Sequence, residues 1–273
     1  DQKGYSLGME VPVLVLTRSD GTSLYPLRDI AYALDIIEKG RYIVVLGEDH
    51  KLYNEQINCA LKMLGKKTRE AVHYSFVLLE DGKMSTRKGN VVLLEDFMRE
   101  SVEKALVELK KRYEEIDPNA AKVIGHGALK FSILKVSPEK NVIFNWDQAL
   151  SFDGETAPYI QYAYARISSI LKKDDIPKEA NLSLLDSKEE IELIKEIARF
   201  PGIAKKAAVE LRPHIIANYA YELAKRFNEF YHTHQVLKEE ESLKNARMLL
   251  IVALAQTLKN SLALLGISVL DRM

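Results

Sequence analysis

Short apolar runs and longer amphipathic stretches alternate through the first hundred residues. Residues 11–16 (VPVLVL) and 42–46 (YIVVL) are apolar, β-branched and bounded by polar or glycine residues, as strands buried in a parallel sheet are. Between them Ile30, Leu34 and Ile37 recur at helical spacing and predict a helix over 28–39. Ile57, Ala60, Leu61 and Leu64 share one face of a second helix over 53–64, which Gly65 is placed to close. A third strand, 72–79, runs into the turn at Asp81-Gly82. This order predicts a doubly wound α/β half-fold, whose ligands sit at the carboxyl ends of its strands.

From about residue 94 the pattern turns helical. Residues 97–113 are charged and amphipathic, Pro118 suits the first turn of the next helix, and 142–146 is a short extended stretch. Four further helices are predicted over 156–173, 187–211, 214–236 and 242–265, with Pro177, Pro201 and Pro213 as punctuation. Leu250, Leu254, Leu258, Leu262 and Leu265 give the last one the wide apolar face of a bundle element, and Phe227 and Phe230 read as core. The fold class is therefore α/β followed by all-α.

Composition narrows the function classes. The chain has 273 residues, of which 47% are hydrophobic and 29% charged, which excludes a disordered or low-complexity chain and allows two domains. Lysine plus arginine and aspartate plus glutamate number 39 each, so a bound nucleic acid would have to be held by a local patch, not by a global field. One cysteine, Cys59, excludes a disulfide framework and a cysteine-built zinc site, and suits a reducing compartment. The longest apolar run, 248–255, is far shorter than the ~20 residues of a membrane span, and no basic and apolar leader opens the chain. A cytoplasmic protein without membrane association is expected. Asp1 is not a translation start, so the chain reads as a piece of a longer one.

The densest chemistry lies in residues 81–90, DGKMSTRKGN, where three cations, two hydroxyls and two glycines follow a predicted strand. Cations, hydroxyls and close backbone approach suit a polyphosphate, although most basic loops are simply solvated. Tyr25 and Asp29 stand four apart and project from one face of a helix start, where a carboxylate can pair with a guanidinium. Asp29 could equally pair with Arg28, Arg41 or another internal cation. His50 sits where the second strand ends, at the edge of the expected cleft. Tyr159, Tyr162 and Arg166 share one helix face, a pattern that serves either a core or a platform for unstacked RNA bases.

The order Lys83-Met84-Ser85 resembles the KMSKS loop of class I aminoacyl-tRNA synthetases, in the KMSTRKG form of the arginyl-tRNA synthetases. The resemblance extends to Asp20-Gly21-Thr22, to Tyr25 through Asp29, to Gly47 through His50, to the block from Trp146 to Ile167, and to the end from Gly266 to Met273. It covers nearly the whole chain in order. It implies the second half of a Rossmann-type nucleotide-binding domain with its KMSTR loop over 1–95, a connecting, stem-contact region over 96–151, and a helical-bundle anticodon-binding domain over 152–273.

The implied activity is arginine–tRNA ligation, with ATP and Mg²⁺ as substrate complex and no tightly bound cofactor. Its partners would be L-arginine, ATP and tRNA-Arg, and the parent protein is expected to be a monomer. The resemblance assigns Tyr25, Asp29 and His50 to arginine, and Gly47, Lys83, Met84, Ser85, Arg87 and Lys88 to ATP. Lys83, Ser85 and Lys88 would be the catalytic set, with no metal ligands. Tyr159, Tyr162, Arg166, Tyr231 and Met273 would contact the anticodon. One departure stands in the loop, where Thr86 replaces the usual second lysine.

Two other readings remain open. One is a non-catalytic tRNA-binding module, which an upstream His-x-Gly-His block would exclude. The other is a different class I synthetase such as the cysteine enzyme, disfavoured by the missing zinc ligands and by Tyr25 and Asp29. The class also requires a His-x-Gly-His motif that this sequence lacks. The chain alone is therefore expected to give no arginine-dependent exchange of pyrophosphate into ATP, a rate that a radiolabelled exchange assay measures directly.

Overall fold

A computed structural model describes residues 13–79, 93–115 and 117–273. They form two compact units, one of residues 1–76 with 138–141 and the other of 77–137 with 142–273.

The first unit contains α1 (Tyr25–Ile37), β1 (Ile43–Gly47), α2 (Lys51–Met63) and β2 (Glu70–Tyr74). Pro26 lies in the first turn of α1, where a missing N–H leaves no carbonyl unpaired, and the helix starts three residues ahead of the predicted start at 28. Ile30, Ala33 and Ile37 of α1 bury against Ile57 and Leu61 of α2. Gly65 closes α2 with φ +71°, and the Lys66 N–H reaches back to the Leu61 carbonyl at 2.9 Å. β1 and β2 pair in parallel, Ile43 opposite Glu70 and Gly47 opposite Tyr74, so α2 is the crossover of a βαβ element.

Two predicted strands differ from what is observed. Residues 13–16 are not in a strand; only a single antiparallel bridge, Thr17 to Ser23, forms around the turn at Gly21. No strand among the described residues lies beside them to take their hydrogen bonds, so an apolar run alone does not make a ladder. The predicted strand 72–79 is broken in two. The Ser75 N–H donates to the Pro138 carbonyl and the Phe76 N–H to Asn141 Oδ1, which draws the backbone off its line. The remainder, β3 (Val77–Leu79), belongs to the second unit.

In that unit β3 pairs in parallel with β4 (Val142–Phe144). Two helices, α3 (Leu94–Lys110) and α4 (Pro118–Leu134), pack so closely that an added Cβ on Gly125 would stand 2.3 Å from the Ser101 carbonyl oxygen. Asp117 caps α4 by accepting from the Asn119 N–H, and Pro118 occupies its first turn. Beside the pair, Phe97, Phe144 and Trp146 of the one-turn α5 (Trp146–Ala149) meet ring to ring at 4.7 to 5.0 Å.

A bundle of four longer helices follows: α6 (Ala157–Leu171), α7 (Lys188–Glu210), α8 (His214–Thr233) and α9 (Glu241–Leu264). Thr156 caps α6, and Ser187 with Glu190 forms a reciprocal capping box on α7. Ile160, Ile167, Leu193, Leu223, Phe227, Phe230, Met248, Ile251 and Leu258 fill the core with 0% exposure each, so Phe227 and Phe230 are core. By composition α9 is apolar enough to cross a membrane, and here that apolarity faces the bundle. Pro201 does not end a helix; it lies inside α7. It removes one N–H from the ladder, and the buried Tyr219 hydroxyl of α8 donates to the neighbouring Glu196 carbonyl at 2.8 Å.

Arg247 of α9 is buried and completely engaged. Its Nε donates to Glu190 Oε1 at 2.7 Å, its Nη1 to Glu239 and to the Gln235 carbonyl, and its Nη2 meets His234 Nδ1. Burial pushes the Glu190 carboxyl upward, yet the donors Arg247 and Ser187 hold it below the usual range. After α9 the chain turns at Gly266 and returns over the helices, where Lys130 Nζ donates to the Gly266 carbonyl and Gln161 Nε2 to that of Ser268.

The Gly125 contact is backbone against side-chain position, so it cannot be relieved by a rotamer change. Gly125→Ala is expected to destabilise the second unit by about 1–3 kcal/mol, the usual cost of overpacking, seen as a lower urea midpoint at unchanged slope.

Candidate functional site

In the first unit a cluster of aromatic and charged side chains forms where α1 meets α2. Three sequence-predicted residues converge there on Tyr53, which the sequence did not single out. The Tyr25 ring lies 5.4 Å from that of Tyr53, and the His50 ring stands edge-on to it at 6.3 Å. The Tyr53 hydroxyl donates to Asp29 Oδ2 at 3.0 Å. Burial first, then this hydrogen bond, raise the Tyr53 phenol well above its ordinary range, so it remains a donor. Tyr25 is 67% exposed while the Asp29 side chain is 12% exposed, so an open aromatic ring and a recessed carboxylate both border Tyr53.

The second partner of Asp29 is Arg69, whose Nη1 donates to the same Oδ2 at 2.8 Å. Neither Arg28 nor Arg41 takes this role: Arg28 donates to Ser23 Oγ and Arg41 pairs with Glu70. Arg69 is gripped by α2, with its Nε on Asn54 Oδ1 at 2.8 Å and its backbone N–H on Asn58 Oδ1 at 3.1 Å. Its Nη2 is buried and finds no hydrogen-bond partner among the described residues. Nothing in the spacing of residues 29, 53 and 69 predicts this meeting, because it depends on how two helices and a strand pack.

Gly47 ends β1 beside this cluster, and an added Cβ there would stand 2.6 Å from Asp49 Oδ1. Lys83, Met84, Ser85, Arg87 and Lys88 lie outside the described residues.

A second constellation lies in the bundle, on α6 and α8. The Arg166 guanidinium stacks between two rings, 4.7 Å from that of Tyr162 and 4.8 Å from that of Tyr231. Its Nη2 donates to the Tyr162 hydroxyl at 3.2 Å and its Nη1 to Asn228 Oδ1 at 3.3 Å. Asn228 also donates to the Tyr159 hydroxyl at 2.7 Å, and the Tyr159 ring packs on Tyr221 at 5.6 Å. Four of the five residues assigned to the anticodon therefore form one connected surface. Met273 lies further along, in a cleft with Leu109, Tyr113 and Leu270. Burial, then nearby Tyr162, lift the Tyr113 phenol above its ordinary range.

Tyr221 and Asn228 were missed from sequence, although they stand seven apart and share a face with Tyr231 three further on. That helical register was the available signal. Phe152, edge-on to Tyr162 at 6.3 Å with the Arg112 guanidinium 4.4 Å from its ring centre, had no such signal, since it lies in a loop.

The first constellation, and all of the second but Tyr159, fall within segments that match known families. Residues 3–146 match the model of the tRNA synthetases class I (R) catalytic domain, and residues 160–273 that of the DALR anticodon binding domain. The chain belongs to the arginyl-tRNA synthetase family. An arginine–tRNA ligase of Methanocella arvoryzae is 47% identical over 98% of this chain and 48% of its own length. One of Methanocaldococcus jannaschii is 42% identical over 95% and 47%. The chain thus spans about half the length of the curated relatives it matches. Among solved structures, Thermus thermophilus arginyl-tRNA synthetase superposes with a TM-score of 0.87 at 28% identity, over 98% of this chain and 52% of that one.

Asp29 is the group whose loss the first unit should feel most, because Arg69 would remain buried without its counter-charge. Asp29→Ala is expected to destabilise this unit by about 3–5 kcal/mol, with the early loss of its amide protection measurable by hydrogen exchange in urea.

Proposed function

We propose that this chain carries the arginine pocket and the anticodon reader of an arginine–tRNA ligase, which activates L-arginine with ATP and transfers it to tRNA-Arg. The observation that carries the reading is the Arg166 stack. Tyr162 and Arg166 on one helix and Tyr231 on another, all chosen from sequence, meet there, and Asn228 adds an amide beside the aromatic faces.

In the pocket, Asp29 accepts from the substrate guanidinium while the Tyr25 ring covers it and His50 borders the opening. A planar fork of donors suits a carboxylate better than a single ammonium does. Activation joins the arginine carboxylate to the α-phosphate of ATP and releases pyrophosphate. Lys83, Ser85 and Lys88, with Met84 and Arg87 beside them and Gly47 at the strand end, are the residues proposed to hold that nucleotide as its Mg²⁺ complex. Such steps depend on positioning and charge stabilisation. Domain limits near residues 95 and 151 divide this activation part and a connecting region from the bundle.

In the bundle, Tyr159, Tyr162 and Tyr231 offer faces to unstacked anticodon bases, and Arg166 and Asn228 offer donors and acceptors to their edges. Met273 borders the same surface. RNA loops are read in this way because their bases can be splayed out and stacked singly. A translation enzyme of this kind works in the cytoplasm.

Equilibrium binding tests the reading. The chain is expected to prefer an arginine-accepting tRNA over a copy with a changed anticodon and over an unrelated tRNA. Tyr162→Ala should remove about 1–3 kcal/mol, the worth of one stacked base, from the preferred complex only. Equal and steeply salt-dependent binding to all three RNAs would leave phosphate contacts alone and overturn the assignment.

A further inference from the structure

We propose that Arg69 is the positioning residue of the arginine pocket: it holds Asp29 by one oxygen, so that the other is presented to the substrate guanidinium and the pocket selects by shape. This rests on the reading of Tyr25 and Asp29 as that pocket.

Three features separate Arg69 from an ordinary buried ion pair. Both donors to Asp29, Arg69 Nη1 at 2.8 Å and the Tyr53 hydroxyl at 3.0 Å, converge on Oδ2. They fix the plane of the carboxylate and direct Oδ1 to what enters. Arg69 is itself held from behind, since Asn54 takes its Nε and Asn58 its backbone N–H, while its side chain is 3% exposed. The fork is also left open, with Nη2 buried and unpartnered among the described residues.

Arg247 is the internal comparison. Buried to a similar degree, it uses Nε, Nη1 and Nη2, as a guanidinium that only stabilises a fold is expected to do. An orphaned N–H group costs stability, and turning the guanidinium to face both carboxylate oxygens would remove that cost. Asn54 holds it in the one-point arrangement instead.

The charge balance then defines the ligand. Asp29 is already neutralised by Arg69, so an arriving cation gains little from net charge. It gains from aligned N–H donors on Oδ1 and from stacking against Tyr25. A guanidinium supplies both; the compact, strongly hydrated ammonium of lysine supplies neither in the same geometry. Arg69 thereby sets the preference for arginine over lysine.

Calorimetric titration of L-arginine and L-lysine into the chain tests this, with Arg69→Lys, Asn54→Ser and, as a surface control, Lys39→Gln. Arg69→Lys keeps the charge but loses the fork, and is expected to weaken arginine binding by roughly tenfold and to narrow the arginine-to-lysine ratio. Asn54→Ser leaves both charges in place and frees Nε; it should narrow the same ratio, and it decides the matter if Arg69→Lys has no melting transition. Lys39→Gln should match the unaltered chain. Arginine binding whose strength and ratio survive both pocket substitutions overturns the positioning role while the pocket stands. An unaltered chain that binds no arginine overturns the pocket reading and this inference with it.

Discussion

A guanidinium taken out of water must be paired, and the two units are each organised around one. In the first, Arg69 enters from the start of β2, meets Asp29 of α1 and is gripped by Asn54 and Asn58 of α2, so three elements share one buried cation. In the second, Arg247 of α9 ties the capped start of α7 to the end of α8 and the loop after it. Apolar packing supplies most of the driving force in both units, but it is tolerant of small slides. Removing one partner from a buried pair is not tolerated, and such pairs limit how the helices can slide over one another.

Helix existence and extent in the bundle were readable because the apolar spacing agrees with the end signals. Thr156, Ser187 and Gly266 sit where the periodic stretches begin or end, so propensity, capping and burial give the same boundaries. The strands were less readable. An apolar run such as 13–16 states that residues want burial, not that a hydrogen-bonding neighbour exists, and the break at Ser75 is imposed by Pro138 and Asn141, far along the chain. Pro201 lies inside the stretch 187–211 that the spacing marked as one helix, and α7 runs through it.

The candidate sites divide along the same line. Tyr162 with Arg166 on α6, and Asn228 with Tyr231 on α8, are each brought to one face by helical register, which is written in the sequence, and packing of the two helices joins the faces. Asp29, Tyr53 and Arg69 meet through packing of separate elements, and no local pattern encodes that. The resemblance that selected Asp29 therefore said which residue to watch without saying what holds it. That it is held at all changes the chemistry expected of it, because a carboxylate with a buried counter-cation is a shaped acceptor more than a free charge.

In the proposed arginine site this distinction bears on how two cationic amino acids can be told apart. A naked carboxylate attracts any cation through its charge, an ammonium as well as a guanidinium. Neutralising that carboxylate in advance removes the indiscriminate part of the attraction and leaves the directional part, hydrogen bonds and ring stacking, to decide. The stability cost is visible as the Nη2 of Arg69, which has no hydrogen-bond partner among the described residues. The fully closed Arg247 network shows that the same chain satisfies a buried guanidinium where only the fold is at stake. On the proposed reading, the open fork is a local loss of stability retained for recognition.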